Sequence, residues 1–315
     1  MGNQSSSSNK NQKYILKLEK KYFEQIKDIF SSEDFKNDLK RIEENIQEDY
    51  EVLSKHWQVS NKVKTAVERL VRHHMYKNIP PTQVYHSPLS SDLAYYVEDA
   101  VLNVDAKTIN YVTNSTDANR PACEKNQISF INKPKFSTTE YAGVRYWPVL
   151  PSKDKFKSLP VLTYFIKIIY SDDTKESTFK INKIDIYCVP NGELSDLFDG
   201  DIIDGFKTYN YVSNDMAEDL GNDYKPLDSI NNKWTKIKFG ENGKGTYYID
   251  KSIKNPMFDG DGSCCWGKES GKYRVIIRGG AARLVKSSLK NRYDEEGKPW
   301  EGYYEASLDE QVATV

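Results

Sequence analysis

The segment from Ser91 to Thr108 constrains the fold of this chain more than any other stretch, because apolar and polar side chains alternate along it. In an extended chain, successive side chains point to opposite faces. The alternation therefore predicts a strand with an apolar face toward the core and a polar face toward a cleft. The apolar face holds Leu102, Val104 and Ala106, and the polar face holds Asn103, Asp105 and Lys107.

A second carboxylate, that of Asp92, is predicted to lie beside Asp105. If the chain reverses at Glu98 and Asp99, positions 92 and 105 are directly opposed, and opposed residues share a face at roughly 5 Å. Two-residue turns favour Asn-Gly or Asp-Gly, so a looser or bulged hairpin is the alternative. Two carboxylates and a lysine on one strand surface are what metal-dependent phosphodiester cleavage requires.

An acidic residue two positions before a lysine is common in this chain, so the spacing alone proves little. What distinguishes the Asp105 copy is its position at the end of an alternating run of β-formers. The bland alternative is a surface hairpin with an ordinary cross-strand Asp–Lys pair. The other copies lie in helix-like or polar sequence at Glu19/Lys21, Asp34/Lys36, Asp38/Lys40, Asp223/Lys225 and Glu296/Lys298.

The 315 residues suffice for one large α/β domain with a helical extension. No apolar run approaches the roughly 18 residues of a membrane span, and no signal-peptide pattern opens the chain. The four cysteines show neither metal-ligand nor disulfide-framework spacing. We therefore expect a soluble, intracellular protein of a reducing compartment. The first residues also fit an acylation pattern, which leaves a membrane-peripheral protein as a minor alternative.

Three helices are predicted ahead of the hairpin. Residues 1–12 are polar and are predicted to be disordered, and residues 13–58 to form a helical arm whose second helix follows a Ser31-x-x-Asp34 cap. A third helix is predicted over 60–77, ended by Pro80 and Pro81. The arm could serve dimerisation or clasp DNA, but ordinary packing helices are the favoured interpretation. Residues 59–315 are predicted to form the main domain.

Dense apolar runs at 159–170 and 179–189, joined by a turn at 171–173, predict the centre of the sheet. A last strand is predicted over 273–278, followed by a basic helix over 281–291. The predicted fold class is α/β, with a mixed β-sheet core flanked by helices and preceded by an N-terminal helical extension.

Charge is unevenly distributed, although the net charge is only −1. Residues 268–292 hold eight basic side chains and one acid, which indicates a surface for a polyanion. Arginine suits bidentate contacts to guanine, so residues on and after the last strand are candidate DNA contacts. They are Lys272, Arg274, Arg278, Arg283 and Lys286; solvated surface is the alternative for most of the basic residues.

Two glycine-containing segments fail as ligand loops. Residues 240–246 lack the first glycine of a phosphate-binding loop. Residues 259–270 lack the glycine and the final glutamate of a calcium loop. Neither segment therefore carries the function.

Taken together, Asp92 and the block Asn103-Val-Asp105-Ala-Lys107-Thr resemble the PD-(D/E)xK nucleases, and within them the BglI-like type II restriction endonucleases. The resemblance extends from about residue 60 to 290, through the 159–170 strand and the following Pro190-Asn-Gly. Ser91 stands where the family has proline. The resemblance implies a restriction-endonuclease-like fold.

The resemblance also implies a function and roles for the residues. The chain is expected to be a homodimeric, Mg²⁺-dependent endonuclease that cuts double-stranded DNA at a two-fold symmetric site and leaves 5′-phosphates. Asp92, Asp105 and the carbonyl of Ala106 would hold the ion, and Lys107 would orient or deprotonate the attacking water. Glu68 is a possible accessory acid, with an ordinary solvent-facing glutamate as the favoured alternative.

Two other functions stay open at this point. One is a repair-type or junction-resolving nuclease of the same superfamily, and the other is a DNA-binding protein without cleavage. Metal-dependent cutting separates an enzyme from a binding protein, and discrete plasmid fragments favour restriction.

Overall fold

The computed structural model describes most of the chain, in two compact units. The described residues are 3–56, 59–85, 91–124, 126–131, 150–198, 202–204, 209–213, 224–230, 234–239, 246–250, 267–269, 272–278 and 283–308. Unit 1 comprises residues 1–130, 148–202 and 283–315, and unit 2 comprises residues 131–147 and 203–282. In the part of the chain that is described, no helix is both long enough and apolar enough to cross a membrane.

Most helices of unit 1 precede its sheet. They are α1 (Asn3–Ser31), α2 (Glu33–Glu48), α3 (Tyr50–His56), α4 (Val59–Asn78), α5 (Ser115–Asn119) and α6 (Lys286–Lys290), with a 3-10 helix at Gly192–Leu197. The prediction of α4 is confirmed, because its Val63, Val67 and Val71 are buried. The cap of α2 lies one residue later than predicted, since the Ser32 hydroxyl accepts the Phe35 N–H at 3.3 Å.

A six-stranded mixed sheet forms the centre of unit 1. Its strands, in spatial order, are β1 (Gln83–Val84), β2 (Leu93–Tyr96), β3 (Val101–Asn110), β4 (Val161–Asp173), β5 (Thr178–Val189) and β16 (Tyr303–Ser307). Strands β3 and β4 are parallel, and the other neighbours are antiparallel. The predicted fold class and the central place of the two dense apolar runs are confirmed.

The register of the central strands puts all the even-numbered apolar positions on one face. Val101 pairs with Val161 across β3 and β4. Odd-numbered residues of the two strands are therefore neighbours, and so are the even-numbered residues. Between β4 and β5 the register shifts at Ile169 and Tyr170 of β4. At this point β5 has one extra residue, Asn182. Because of this bulge, the odd-numbered Ile181 lies on the same face of β5 as the even-numbered residues after Asn182. Both sets of residues therefore belong to one core.

That apolar face is covered by the N-terminal helices. Ile15, Leu39 and Val67 of α1, α2 and α4 belong to one buried cluster with Leu102 and Ile166 of the sheet. These helices therefore pack as a layer on the sheet, which agrees with the favoured interpretation of the N-terminal segment. Helix α1 begins at Asn3, inside the segment for which disorder is predicted; the proposed boundaries at residues 12 and 58 stay a prediction.

The predicted hairpin register is confirmed. Leu93 pairs with Val104, the step next to Asp92 and Asp105, and the Val97 N–H donates to the Ala100 carbonyl at 2.9 Å across the two-residue turn. The looser or bulged alternative was therefore wrong.

Contacts from α1 explain how so poor a turn sequence is held. The Asp99 carboxylate accepts hydrogen bonds from the Tyr22 hydroxyl and, at 2.6 Å, from Lys21 Nζ. Neither Glu98 nor Asp99 has a positive φ, so the turn does not need the residues that a type I′ turn prefers.

In the described residues of unit 2, taken by itself, the regular elements are strands. They are β6 (Ile203–Asp204), β7 (Tyr209–Ser213), β8 (Tyr224–Ile230), β9 (Trp234–Phe239), β10 (Thr246–Asp250), β11 (Gly267–Glu269) and β12 (Lys272–Arg278). Six of them form one sheet, in which β11, β12, β10, β9 and β8 follow in this order and β7 also pairs with β12. The predicted last strand corresponds to β12. The two rejected ligand loops lie largely outside the described residues, which include only their ends.

Two local predictions were wrong. The turn predicted at 171–173 lies at 174–177, because Asp172 and Asp173 pair with Phe179 and Thr178 and continue the strands. The helix predicted over 281–291 is only the short α6, preceded by β13 (Arg283–Leu284). The Leu284 N–H donates to the Pro121 carbonyl at 3.0 Å, which holds this segment extended. The short strands β14 (Arg292–Tyr293) and β15 (Pro299–Trp300) follow.

Candidate active site

Asp92 enters β2 at the end of the hairpin, and two contacts hold it there. Its Oδ2 accepts the Ala106 N–H at 2.7 Å, so the carboxylate bridges to the strand that carries Asp105. Its main-chain carbonyl accepts a hydrogen bond from Arg72 Nη2 of α4 at 2.9 Å. The helix layer thus fixes the strand end on which the first predicted site residue lies.

Asp105 lies deeper, on the polar face of β3, and its side chain is only 2% exposed. Its two carboxylate oxygens have different partners. Oδ1 accepts a hydrogen bond from Gln127 Nε2 at 2.8 Å, and Oδ2 forms an ion pair with Lys107 Nζ at 2.6 Å. Lys107 is 26% exposed and also lies 5.7 Å from the centre of the Phe165 ring. The structure therefore brings Asp92, Asp105 and Lys107 together.

The charge of Asp105 is disfavoured where it stands. Burial raises its pKa to about 6; the positive charge and hydrogen bonding of Lys107 oppose this rise, and the nearby charges of Asp92 and Glu124 add to it. A bound cation would relieve both the burial and the carboxylate repulsion. The charged form of the Asp105 carboxylate is therefore less stable here than it is in water.

Glu68 of α4 also lies near this group. Burial and the charge of Asp92 raise the pKa of Glu68, and Lys64, whose Nζ is 3.6 Å from Oε1, opposes that rise. The side chain is partly exposed, at 24%. Its accessory role stays a prediction.

Two buried side-chain oxygens near the site, those of Ser91 and Asn103, lack a hydrogen-bond partner among the described residues. Unpartnered buried polar atoms are rare because they cost free energy, and they mark places where water or another ligand can bind. No three side chains of His, Cys, Asp and Glu cluster as a metal site within the described ranges. An ion here would depend on two carboxylates plus main-chain, water or substrate oxygens.

The candidate DNA contacts fall in both units. Lys272, Arg274 and Arg278 lie on β12 of unit 2. In unit 1, Arg283 Nε donates to Asp117 Oδ1 at 2.9 Å, and Lys286 pairs with Glu305. These two basic side chains thus have carboxylate partners in their own unit. Their predicted role in DNA binding stays a prediction.

Gln127 and Arg72 are site residues that the sequence did not reveal. Gln127 follows Asp105 by 22 positions, in a segment for which no helix or strand is predicted, and a lone glutamine carries no motif. Arg72 holds a main-chain carbonyl, and nothing in the residue types around it signals such a contact. Both come from contacts between distant segments.

Comparison with known proteins agrees with this fold. The family model described as the type II restriction enzyme MwoI, N-terminal domain, matches residues 11–174, just over half of the chain. No curated protein matches the chain.

Two solved structures are similar. A crystal structure of the restriction endonuclease BglI bound to its DNA recognition sequence matches with a TM-score of 0.52 at 14% identity, covering 97% of this chain and 94% of that one. A structure of the tetrameric restriction endonuclease SfiI bound to cognate DNA matches with a TM-score of 0.35 at 13% identity, over 60% and 72% of the two chains. The BglI likeness supports the fold, and the family match decides the assignment: the chain belongs to the family of the type II restriction enzyme MwoI, N-terminal domain.

Proposed function

We propose that this chain is a Mg²⁺-dependent type II restriction endonuclease of the bacterial cytoplasm, with Asp92, Asp105 and Lys107 as its catalytic group. The observation that carries the proposal is the β2–β3 pairing, which puts Asp92 beside Asp105 on the strand surface where Lys107 Nζ lies 2.6 Å from the Asp105 carboxylate. Family membership supports the reaction class.

The donor atoms of this site fit Mg²⁺. They are oxygens of Asp92 and Asp105, with the carbonyl of Ala106 as a candidate third donor. Mg²⁺ binds through one or two carboxylates plus waters and substrate phosphates, which matches the two carboxylates that Asp92 and Asp105 supply. When bound, the ion supplies positive charge that stabilises the negative charge developing on the phosphoryl oxygens.

The protein's own residues would perform the rest of the hydrolysis. Lys107, partly exposed beside Asp105, would orient a water molecule and take up or relay its proton. The water oxygen forms a bond to phosphorus, and the bond from phosphorus to the 3′ oxygen breaks. The leaving 3′ oxygen then takes up a proton. The products are a 5′-phosphate and a 3′-hydroxyl. Glu68 would act as an accessory acid beside Asp92.

We propose double-stranded DNA with a two-fold symmetric site as the substrate and a homodimer as the active assembly. The similar BglI structure holds its DNA recognition sequence, and a symmetric site matches a symmetric dimer. Lys272, Arg274, Arg278, Arg283 and Lys286 are the proposed DNA contacts. Sedimentation of the protein alone and with DNA tests the assembly.

Digestion of a mapped plasmid with Mg²⁺, followed by sequencing of the ends, tests the activity. Discrete fragments with 5′-phosphates are expected, and none in EDTA. Asp105→Ala and Lys107→Ala should lose cleavage and keep DNA binding. Lys40→Ala is a matched control, because Lys40 is the lysine of another acid-x-Lys pattern and is 71% exposed. Normal cutting by either active-site variant would refute the residue assignment, and DNA binding without any cutting would favour a binding protein.

A further inference from the structure

Described residues from Ala118 to Gln127, which follow β3, lie over the polar face of the sheet. The buried Gln127 contacts Asp105. Ala118 of this segment packs on Ile109 and Ile169, and its carbonyl accepts a hydrogen bond from the buried Lys167 Nζ at 2.5 Å. Farther along, the Gln127 carbonyl accepts a hydrogen bond from Asn103 Nδ2 of β3 at 3.0 Å. The segment is thus tied to two strands of the sheet.

The orientation of the Gln127 side chain follows from its partners. Its Oε1 accepts the Glu124 N–H at 3.0 Å, and a main-chain N–H can only donate. The amide nitrogen must therefore face the other way, where it donates to Asp105 Oδ1 at 2.8 Å. Gln127 is only 2% exposed, so solvent does not compete for this contact.

Main-chain contacts already hold the turn in which Gln127 lies. Its N–H donates to the Glu124 carbonyl at 3.1 Å, and its carbonyl is held by Asn103. The donor end of the side chain, by contrast, contacts only the Asp105 carboxylate among the contacts described. That leaves Asp105 Oδ2 as the oxygen beside Lys107.

We propose that Gln127 is a positioning residue, which fixes the rotation of the Asp105 carboxylate and so presents Oδ2 to the metal and to Lys107. This inference rests on the proposed function. Side chains that orient a metal ligand affect metal affinity or activity by about 10- to 100-fold when removed. Gln127→Leu keeps the approximate size of the side chain and removes both the donor to Asp105 and the acceptor of the Glu124 N–H, while the main-chain contacts of the turn stay.

Mn²⁺ titration of the metal-free, full-length protein, followed by electron paramagnetic resonance, tests the proposal without turnover. Gln127→Leu should weaken Mn²⁺ binding about tenfold or more, and raise the Mg²⁺ concentration that half-saturates cleavage by a similar factor. Ser129→Ala is the matched control. It removes the Ser129 hydroxyl that accepts the Gly192 N–H, in the same buried segment and without contact to Asp105. Mn²⁺ affinity and the Mg²⁺ concentration for half-maximal cleavage should both stay unchanged.

Unchanged Mn²⁺ affinity and Mg²⁺ dependence in Gln127→Leu would overturn the positioning role. Gln127→Met, which is also neutral and of similar length, replaces that variant if it does not fold. Failure of both variants to fold would assign Gln127 to the fold alone and also overturn the role. Asp105→Asn, titrated in parallel, separates the two proposals: if it binds Mn²⁺ like the wild type, the metal site itself is wrong, and Gln127 has nothing to position there.

Discussion

Replacing Asp105 with asparagine should stabilise the metal-free protein at neutral and alkaline pH. The carboxylate is 2% exposed, and burial raises its pKa from 3.8 to about 6. At about 1.4 kcal/mol per pH unit, this difference corresponds to roughly 3 kcal/mol of unfolding free energy. Asparagine removes the charge and keeps an oxygen that can accept the hydrogen bond from Gln127 Nε2.

The sign of the pH dependence follows from proton binding. Between pH 3.8 and about 6 the folded wild type holds more protons on Asp105 than the unfolded chain does. Its stability therefore falls as the pH rises through this range and levels off above it. The gain from Asp105→Asn should be small at pH 4 and should approach the full value at pH 8.

Urea unfolding in EDTA at pH 4 and pH 8, followed by circular dichroism, measures this gain. Glu305→Gln is a control of opposite sign. Partial burial acts to raise the pKa of Glu305, but hydrogen bonds from Lys286, Tyr303 and Lys183 lower it to about 2, so this variant should lose stability at pH 8. Mg²⁺ should stabilise the wild type and not Asp105→Asn. A gain of equal size at both pH values, or no gain at pH 8, would refute the reasoning.

Three further substitutions test buried or partly buried carboxylates of unit 1. Asp99→Ala removes the acceptor of Tyr22 and Lys21 and should cost about 1–3 kcal/mol in urea unfolding; an unchanged midpoint contradicts this. Glu19→Gln leaves the buried Arg292 without its charged partner and should cost about 3–5 kcal/mol in the same assay; a stability equal to the wild type would show that the pair is dispensable. Glu68→Gln should raise the thermal midpoint more at pH 8 than at pH 5, because burial and Asp92 raise the pKa of Glu68; equal shifts would disprove it.

The hairpin was predictable because its information is local. Alternation assigns Asp105 and Lys107 to one face, and a reversal at Glu98 and Asp99 determines which residue faces Asp105. The local sequence does not explain why the turn at Glu98 and Asp99 forms. Its support comes from Tyr22 and Lys21, far away in the chain.

The remaining differences also come from long-range contacts. The extra residue Asn182 in β5 changes which positions enter the core, and alternation alone cannot locate such a bulge. The segment at Arg283 and Leu284 has basic, helix-compatible neighbours but pairs with the loop at Pro121. No regular element was predicted between residues 190 and 272, where polar residues and glycines interrupt the alternation, yet most strands of unit 2 lie there.

The polar face of the sheet shows how Lys107 can remain available for chemistry. Lys107 and Lys167 are register partners on adjacent strands, and each has its own carboxylate at 2.6 Å, Asp105 and Asp185 respectively. Lys167 is fully buried, and burial lowers its pKa, which Asp185 opposes. Because the Asp185 carboxylate balances the charge of Lys167, the Asp105 carboxylate pairs with Lys107 alone among these two lysines. The partly exposed Lys107 is then the basic group that can face a substrate, while its buried neighbour ties the segment carrying Gln127 to the sheet through Ala118.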